Sequence, residues 1–408
     1  MKQRNIFDKL VSILGFMPVL LISGARQTGK TTLTKLLTEK NGYEYYSFDD
    51  SLTLANASKD PAGWIQSITK PVVIDEVQRI PEIFLSIKYD VDKNRNPGRY
   101  ILTGSAYPLL LPRLGDSLAG RMGIAKLYPF SQGEIRGKKE QFIDSIFSSS
   151  FSARSFNPIS SDEYFDLLCK GGFPTISTSS SYEDIDVWLT AYLQTMLERD
   201  VRDIANIEGI RDFPRLYNLL AARSSTLLNM AEVSRSIGMP SATVSRYIRL
   251  LEVLFFIFLV PSWHSNRGKR IVKAPKLHLC DTAILTQLLN ASPKQLQNDP
   301  SLCGKILETF IFNELQKQQS WSSTKFNIFH FRDGDKEVDF VLEKSDGTII
   351  GIEVKNARSP IGNASKGLHY LKSIAKEKFF RGIVLHLGEQ IQCVDDIWYV
   401  PIQALWEL

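Results

Sequence analysis

Apolar segments alternate with helical patterns over the first 135 residues of the chain. Four short segments rich in apolar or aromatic residues predict strands: PVLLISG (18–24), YEYYSFDD (43–50), PVVIDE (71–76) and RYILTGS (99–105). The first leads through a glycine-rich turn into the helical segment KTTLTKLLTEK. Buried strands separated by helices are typical of a parallel sheet covered on both faces. The pattern therefore predicts an α/β domain over residues 1–135.

The middle of the chain is mostly helical in pattern. Residues 145–161 are serine-rich and lack periodicity, which indicates a loop or a domain boundary. A serine cap followed by acidic residues then opens a helical section that continues to about residue 223. We predict a helical linker or lid over 136–228 and a smaller helical module over 229–275.

The last 130 residues return to an α/β pattern. From about residue 304 the predicted order is helix, three strands, helix, strand, strand. In VDFVLEKSDGTIIGIEVK (338–355) a Ser-Asp-Gly turn between apolar runs predicts a hairpin. Three charged residues interrupt its apolar pattern: Asp339, Glu353 and Lys355. We predict a second α/β domain over 276–408.

The composition is that of an ordinary soluble globular protein. Of 408 residues, 43% are hydrophobic and 23% charged, which excludes a disordered or fibrous chain. The formal net charge of +5 permits a nucleic-acid partner without requiring one. Four cysteines without metal-ligand spacing predict reduced, mostly buried thiols.

No segment reads as a targeting signal or a membrane span. The basic and then apolar start of the chain has no small-residue cleavage site and leads directly into the glycine-rich turn. The apolar stretch 247–261 contains Arg249 and Glu252 and is shorter than the roughly 20 residues that a membrane span requires. We therefore expect a cytoplasmic protein without a membrane partner.

The segment GARQTGKT (24–31) fits the phosphate-loop pattern G-x-x-x-x-G-K-[ST] between a strand and a helix. Its glycines allow successive N–H groups to point at an anion, and the helix N-terminus adds a partial positive charge. Lys30 would reach the β- and γ-phosphates of ATP, and the Thr31 hydroxyl would bind Mg²⁺. The predicted ATP-binding residues are Gly24, Ala25, Arg26, Gln27, Thr28, Gly29, Lys30, Thr31 and Thr32.

An acidic pair completes the predicted ATPase site. Asp75 and Glu76 end the strand PVVIDE, and ligands of open α/β sheets bind at the carboxyl ends of strands. Asp75 would hold Mg²⁺ through water, and Glu76 would polarise the attacking water. Thr103 or Ser105, at the end of the next strand, would contact the γ-phosphate, unless the segment is a plain turn. Arg121 is either a finger that reaches the nucleotide of a neighbouring subunit in a homo-oligomer or a solvated arginine.

Several segments together resemble the prokaryotic AAA-type ATPases that carry a C-terminal domain of unknown function (number 4143). They are GARQTGKTTL, VVIDEVQRIPE, YILTGSA and SLAGRMGIAKLYPFSQGE, with YLQTMLERDV and KAPKLHLCDTAIL resembling the middle section of the family. The resemblance covers nearly the whole chain. It implies ATP binding, a winged-helix segment and a nuclease-like C-terminal fold, but no settled biological role.

Residues 229–254 predict two helices joined by a tight turn, with Gly238 ending the first and Ser241 capping the second. Val244, Ile248 and Leu251 share one face of the second helix. The opposite face is polar and basic and suits the major groove, and the segment after it would form a wing on the phosphates. The predicted DNA-binding residues are Ser241, Thr243, Ser245, Arg246, Arg249, Arg267, Lys269 and Arg270. The alternative is a winged helix used only for packing or protein contact.

The charged residues of the C-terminal hairpin are expected to converge. Glu353 and Lys355 share a strand face, the hairpin brings Asp339 alongside, and Glu308 lies on a helix that faces the same sheet. This set resembles the PD-(D/E)XK restriction-endonuclease-like fold. The resemblance implies Mg²⁺ held by Glu308, Asp339 and Glu353, with Lys355 donating to the scissile phosphate or the attacking water. Val338 stands where the pattern often has proline, and the alternative is a binding module whose acids are unused.

Three functions follow from these observations. The first is an AAA-type ATPase that acts on DNA, with a magnesium-dependent nuclease-like site at Glu308, Asp339, Glu353 and Lys355. The second is a nucleotide-gated regulatory switch that binds a protein partner and cuts nothing. The third, a small-molecule kinase, leaves more than half of the chain without a role.

Overall fold

The computed structural model describes residues 2–39, 42–106, 118–196, 212–266, 268, 270, 273–359 and 362–408. The chain divides into two compact units. One consists of Met1–Phe130 with Val253–Phe256, and the other of Ser131–Glu252 with Ile257–Leu408.

The first unit is built on a five-stranded sheet with the order β2-β3-β4-β1-β5, in which every pairing is parallel. Its strands are β1 (Val19–Ser23), β2 (Glu44–Ser47), β3 (Val72–Asp75), β4 (Tyr100–Gly104) and β5 (Met122–Lys126). Its helices are α1 (Phe7–Leu14), α2 (Lys30–Thr38), α3 (Ser51–Lys59), α4 (Pro61–Ser67) and α5 (Ile83–Lys93). The predicted α/β fold with a parallel sheet is confirmed.

Burial in this sheet follows the position of each strand. Every residue of β1, β3 and β4 is buried, because these strands have neighbours on both sides. In β5, which is an edge strand, only Ala125 is fully buried. The sequence analysis did not predict β5, since an edge strand lacks the continuous apolar run that marks a central one.

The second unit begins with helices and ends with a larger sheet. Its helices are α6 (Gln132–Arg136), α7 (Phe142–Ile146), α8 (Ser161–Lys170), α9 (Tyr182–Thr195), α10 (Phe213–Ala222), α11 (Met230–Ile237), α12 (Ser241–Val253), α13 (Thr282–Leu288), α14 (Pro293–Asn298), α15 (Pro300–Trp321), α16 (Lys366–Ala375) and α17 (Ala404–Glu407). Its strands are β6 (Arg154–Ser155), β7 (Thr226–Leu227), β8 (Ile257–Val260), β9 (Lys276–Leu279), β10 (Phe326–Asp333), β11 (Lys336–Lys344), β12 (Ile349–Val354), β13 (Phe379–His386), β14 (Gln390–Val394) and β15 (Ile397–Pro401).

Helices α11 and α12 form the predicted pair. The Asn229 side chain accepts from two N–H groups at the start of α11, and Gly238 ends that helix with a φ of +73°. The residues predicted to share one face of α12, Val244, Ile248 and Leu251, are all buried, so this prediction is confirmed. The strands on either side of the pair in sequence form a three-stranded antiparallel sheet with the order β7-β9-β8, in which β7 precedes α11 and β8 and β9 follow α12.

The large sheet of the second unit is mixed and has the order β10-β11-β12-β13-β15-β14-β6. The predicted hairpin between β11 and β12 is confirmed, with Phe340 opposite Ile352. Strand β14 was not predicted; most of its residues are exposed, so it lacks an apolar signal. Strand β6 comes from the serine-rich stretch that was predicted to be a loop or a boundary.

Two further predictions concern the whole chain. Cys169, Cys280 and Cys303 are buried and unbridged and Cys393 is exposed, as expected for reduced thiols. Within the described residues, no helix combines the length and the apolar character needed to cross a membrane.

Candidate functional sites

The predicted phosphate loop connects the carboxyl end of β1 to the start of α2. A Cβ atom at Gly24 would lie 2.1 Å from the carbonyl oxygen of Leu127, so only glycine fits there. Gly29 precedes the first turn of α2 with a φ of +92°, a conformation that favours glycine. Both glycines of the motif are thus required by the backbone of this loop.

Side chains within the loop hold its shape. Lys30 is buried and its ammonium donates to the carbonyl oxygens of Gly24 and Ala25, both at 2.9 Å. The Thr28 hydroxyl also donates to Ala25, at 2.9 Å. The remaining predicted members are the half-buried Arg26 and the exposed Gln27, Thr31 and Thr32. The lysine side chain is therefore tied back to the first two residues of the loop.

Asp75 is the centre of a cluster of hydroxyl groups. Its Oδ2 accepts from Thr31 at 3.1 Å and from Tyr45 at 2.6 Å, and its Oδ1 accepts from Thr103. Burial, followed by the hydrogen bond to Asp75, raises the pKa of Tyr45 above its usual value, so this phenol remains a donor. Thr31 and Asp75, predicted to bind Mg²⁺ together, are brought together here, and both offer the oxygen ligands that Mg²⁺ prefers.

Glu76 directly follows β3 in a left-handed backbone conformation, with a φ of 56° and a ψ of 43°. Its carboxylate accepts from Ser105 at 2.9 Å and from the Gln78 amide, which also donates to Ser105 at 2.9 Å. The predicted residues Glu76 and Ser105 are therefore in contact. Strain at such a position persists where the surroundings enforce it, and it is common at functional sites.

Arg121 does not belong to this cluster. It immediately precedes β5, which pairs in parallel with β1 from Val19 opposite Met122, so it lies at the edge of the sheet opposite the phosphate loop. Its guanidinium forms an ion pair with Asp92 and donates to Ala119 at 3.1 Å. The predicted role of Arg121 as a finger toward the nucleotide of a neighbouring subunit stays a prediction.

Arg4, which the sequence patterns did not indicate, contacts the backbone of the phosphate loop at Thr28. Arg4 is buried, donates to the carbonyl oxygens of Thr28 at 2.9 Å and Tyr128 at 2.6 Å, and stacks 4.7 Å from the centre of the Phe130 ring. No pattern around Arg4 signals this role, because its partners lie 24 and 124 residues away.

The charged residues of the C-terminal hairpin converge as predicted. Asp339 Oδ2 accepts from the backbone N–H of Val354 at 2.9 Å, which ties β11 to the end of β12. The Lys355 ammonium lies 3.3 Å from Glu353 Oε2. Burial and the neighbouring Asp339 raise the pKa of Glu353 well above its usual value.

A lysine that the sequence analysis did not single out lies in the middle of these acids. The Lys276 ammonium, on β9, contacts Glu308 at 2.9 Å, Glu337 at 2.8 Å and Asp339 at 3.4 Å. Its side chain is only 2% exposed. Burial acts to lower the pKa of Lys276, but the three carboxylates outweigh it and raise the pKa. The nearest signal in the sequence is a charged residue within an otherwise apolar strand.

Glu308 lies on α15 beside Lys276. Burial and the nearby Asp339 raise its pKa to about 8, against the opposing effect of Lys276. His278, two residues after Lys276 and on the same face of β9, is fully buried, stacks on Phe312 and lies 3.9 Å from Glu308. Burial lowers the pKa of His278 well below its usual range, so it is neutral. Across the described part of the chain, no group of three or more His, Cys, Asp or Glu side chains is arranged to hold a metal ion.

The predicted DNA-binding residues differ in how far they are exposed. Ser241, Ser245, Arg246 and Arg249 are exposed on α12, and Thr243 is half-buried. Arg270 is not on the surface: its guanidinium pairs with Glu343 through two hydrogen bonds, one of 2.9 Å, and their side chains are 12% and 11% exposed. The prediction of a phosphate contact by Arg270 is therefore wrong. Arg267 and Lys269 lie outside the described residues.

Three parts of the chain match known families. Residues 17–136 match the AAA domain, and residues 161–295 and 303–405 match two domains of unknown function, DUF8612 and DUF4143. An uncharacterized protein of Mycobacterium tuberculosis is 28% identical over 361 residues, which cover 88% of this chain and 75% of the relative. An uncharacterized protein of Methanocaldococcus jannaschii is 23% identical over 337 residues, which cover 79% of this chain and 71% of the relative.

Among solved structures, a Walker-type ATPase of Pyrococcus abyssi is similar with a TM-score of 0.44 and 14% identity, covering 70% of this chain and 94% of that one. The RuvB Holliday junction branch migration motor of Thermotoga maritima has a TM-score of 0.32 and 17% identity, covering 64% of this chain and 90% of that one. Residues 17–136 thus match the AAA domain and contain a loop with the phosphate-loop motif, and residues 303–405 match DUF4143.

Proposed function

We propose that the chain binds and hydrolyses ATP with Mg²⁺ at the phosphate loop, and that the nucleotide state controls binding of DNA by α12. One observation carries the ATPase part. Thr31, Asp75, Glu76 and Ser105 meet at the carboxyl edge of a parallel sheet, beside a loop with the required glycines and lysine. Ligands of such sheets bind at this edge.

Each residue of the site has a distinct task. The loop N–H groups and Lys30 bind the phosphates, while Thr31 and Asp75 would hold Mg²⁺, which neutralises charge on the phosphates when bound. Glu76 orients the attacking water and accepts its proton. Ser105 donates a hydrogen bond to Glu76, the residue that performs this step. Phosphoryl transfer depends on positioning and charge stabilisation, which a preorganised cluster supplies.

The exposed face of α12 supports the DNA part. Arg246 and Arg249 lie one turn apart on this face, with Ser245 beside them, and none of the three is buried. The buried residues of α12 fix the helix to the second unit, so that this face stays outward. The order strand, two helices and two further strands of one small antiparallel sheet supports a winged helix, a motif that places its second helix in the major groove.

Fluorescence anisotropy with a labelled DNA duplex tests this proposal. In the double variant Arg246→Ala and Arg249→Ala, we expect at least tenfold weaker binding, and a slope of log affinity against log salt reduced by about 2, because two phosphate contacts are lost. The double variant Arg95→Ala and Arg154→Ala, which removes two exposed arginines outside α12, is the charge-matched control and should behave as wild type. In Lys30→Ala, the difference between the ATP and ADP states should disappear.

Wild-type affinity and salt slope in the double variant of Arg246 and Arg249 would contradict DNA binding by α12. If wild type itself shows no salt-dependent affinity for DNA in any nucleotide state, the second function, a nucleotide-gated switch for a protein partner, takes the place of the first. Nuclease activity is not part of the proposal, because Lys276 contacts the carboxylates that would have to hold the metal ion.

A further inference from the structure

The acid cluster of the DUF4143 domain already contains a cation. The Lys276 ammonium has three N–H groups and three carboxylate neighbours, on Glu308, Glu337 and Asp339. Lys276 lies on β9, which pairs with β7 on one side and β8 on the other, so its backbone is fixed within a sheet. The ammonium therefore links β9 to α15 and to β11.

Two further oxygens of the cluster are also in use. Asp339 Oδ2 accepts from the N–H of Val354, and Glu353 Oε2 faces the Lys355 ammonium. A magnesium ion would have to approach these carboxylate oxygens to about 2.1 Å with near-octahedral geometry. The ammonium nitrogen lies 2.9 Å from Glu308 and 3.4 Å from Asp339, between the groups that such an ion would bridge.

Binding of a dication here would place it beside a buried ammonium. Two like charges a few ångströms apart repel strongly where water is excluded, and the Lys276 side chain is almost fully excluded from water. Displacing the ammonium would in turn leave a lysine buried without its partners, which is costly. The residues present thus do not fit the magnesium site that the resemblance to the nuclease fold implies.

We propose that Lys276 replaces the divalent metal ion in this cluster, so that the domain retains the acid arrangement of a nuclease but neither binds the ion nor cuts DNA. The cluster then acts as a structural link between β9 and the sheet that contains β11. This proposal concerns the second unit alone and does not depend on ATP hydrolysis or on DNA binding by α12.

Counting bound Mn²⁺ by electron paramagnetic resonance, in the full-length protein without nucleotide, tests the proposal. Wild type and Asp339→Asn should take up the same number of ions per chain at millimolar Mn²⁺, because the cluster binds none. One additional ion in wild type that Asp339→Asn loses would overturn the proposal. Glu308→Gln serves the same comparison if Asp339→Asn does not fold.

A second variant tests the role of the lysine directly. Lys276→Met removes the cation and leaves the carboxylates uncompensated, so we expect a lower melting temperature in EDTA that Mn²⁺ partly restores. Wild type should show no such Mn²⁺-dependent rise. Unchanged stability of Lys276→Met in EDTA, without any effect of Mn²⁺, would contradict a cationic role for Lys276. Supercoiled DNA incubated with wild type and Mn²⁺ should remain uncut.

Discussion

At the scale of single residues, His330 gives the clearest link between burial and pH. It is buried on β10, its Nε2 lies 3.1 Å from the carbonyl oxygen of Ala274, and burial together with the nearby Lys276 lowers its pKa to about 4. In the unfolded chain a histidine has a pKa of about 6.5. Between these values the unfolded state binds a proton that the folded state does not.

Above about pH 6.5 the titration of His330 should therefore leave the free energy of unfolding of the second unit unchanged. As the pH is lowered toward 4, this free energy should fall. At pH 5 the free energy of unfolding should be lower by about 2 kcal/mol, because each unit of difference between the folded and unfolded pKa corresponds to about 1.36 kcal/mol. Urea unfolding of wild type and His330→Gln at pH 7.5 and 5 measures it; the variant should lose about 2 kcal/mol less. His369→Gln, which changes an exposed histidine, should lose as much as wild type. An equal loss in His330→Gln and wild type would show that His330 is protonated in the folded state.

The sequence predicted single residues well where their partners are local or set by a motif. The motif gave the phosphate loop, and period-two alternation gave the convergence of Asp339 and Glu353. The sequence did not predict the contacts of Tyr45 and Lys276, because their partners Asp75 and Asp339 lie 30 and 63 residues away. Neither the spacing nor the residue type of such a side chain indicates which distant strand it will face.

At the scale of elements, the connection between β8 and β9 shows how a basic segment can be misjudged. The sequence HSNRGKR suggested a wing with three phosphate contacts. Arg270 instead donates through its Nε to the carbonyl oxygen of His264 at 2.7 Å and pairs with Glu343 on β11. It therefore anchors the connection to the large sheet.

Arg270→Ala should destabilise the second unit by about 3–5 kcal/mol, since removal of one partner leaves the other charge buried and unpaired. Urea unfolding of the variant measures this cost. Arg358→Ala, which breaks an exposed pair with Glu389, is the control and should cost no more than about 1 kcal/mol. A cost for Arg270→Ala as small as that of the control would mean that the pair is not buried in solution.

The elements themselves followed from the pattern wherever they are central. Strands β1, β3 and β4 carry continuous apolar signals because each pairs with a strand on both sides. The β11–β12 hairpin was predicted from its turn between two largely apolar runs. Strands β5, β6 and β14 were missed because they lie at or next to sheet edges, where exposed positions remove the signal.

At the scale of the whole molecule, the chain has two units, and the acid clusters built around Asp75 in one and Asp339 in the other have opposite character. In the first unit, Asp75 is surrounded by hydroxyl donors and lies beside a loop suited to phosphates. In the second, the acids are neutralised by a buried lysine. The predicted domain boundaries within residues 136–408 stay predictions, since these residues, apart from Val253–Phe256, belong to a single compact unit.

The central claim is that Glu76 is the residue that activates water for ATP hydrolysis. The most direct test is a comparison of ATP affinity and single-turnover hydrolysis in wild type, Glu76→Gln and the control Glu82→Gln, which changes an exposed glutamate six residues after Glu76. The account predicts that Glu76→Gln binds ATP within a few-fold of wild type but hydrolyses it at least about 100-fold more slowly, the usual cost of removing a general base. Hydrolysis by Glu76→Gln at the rate of wild type and of Glu82→Gln would contradict it.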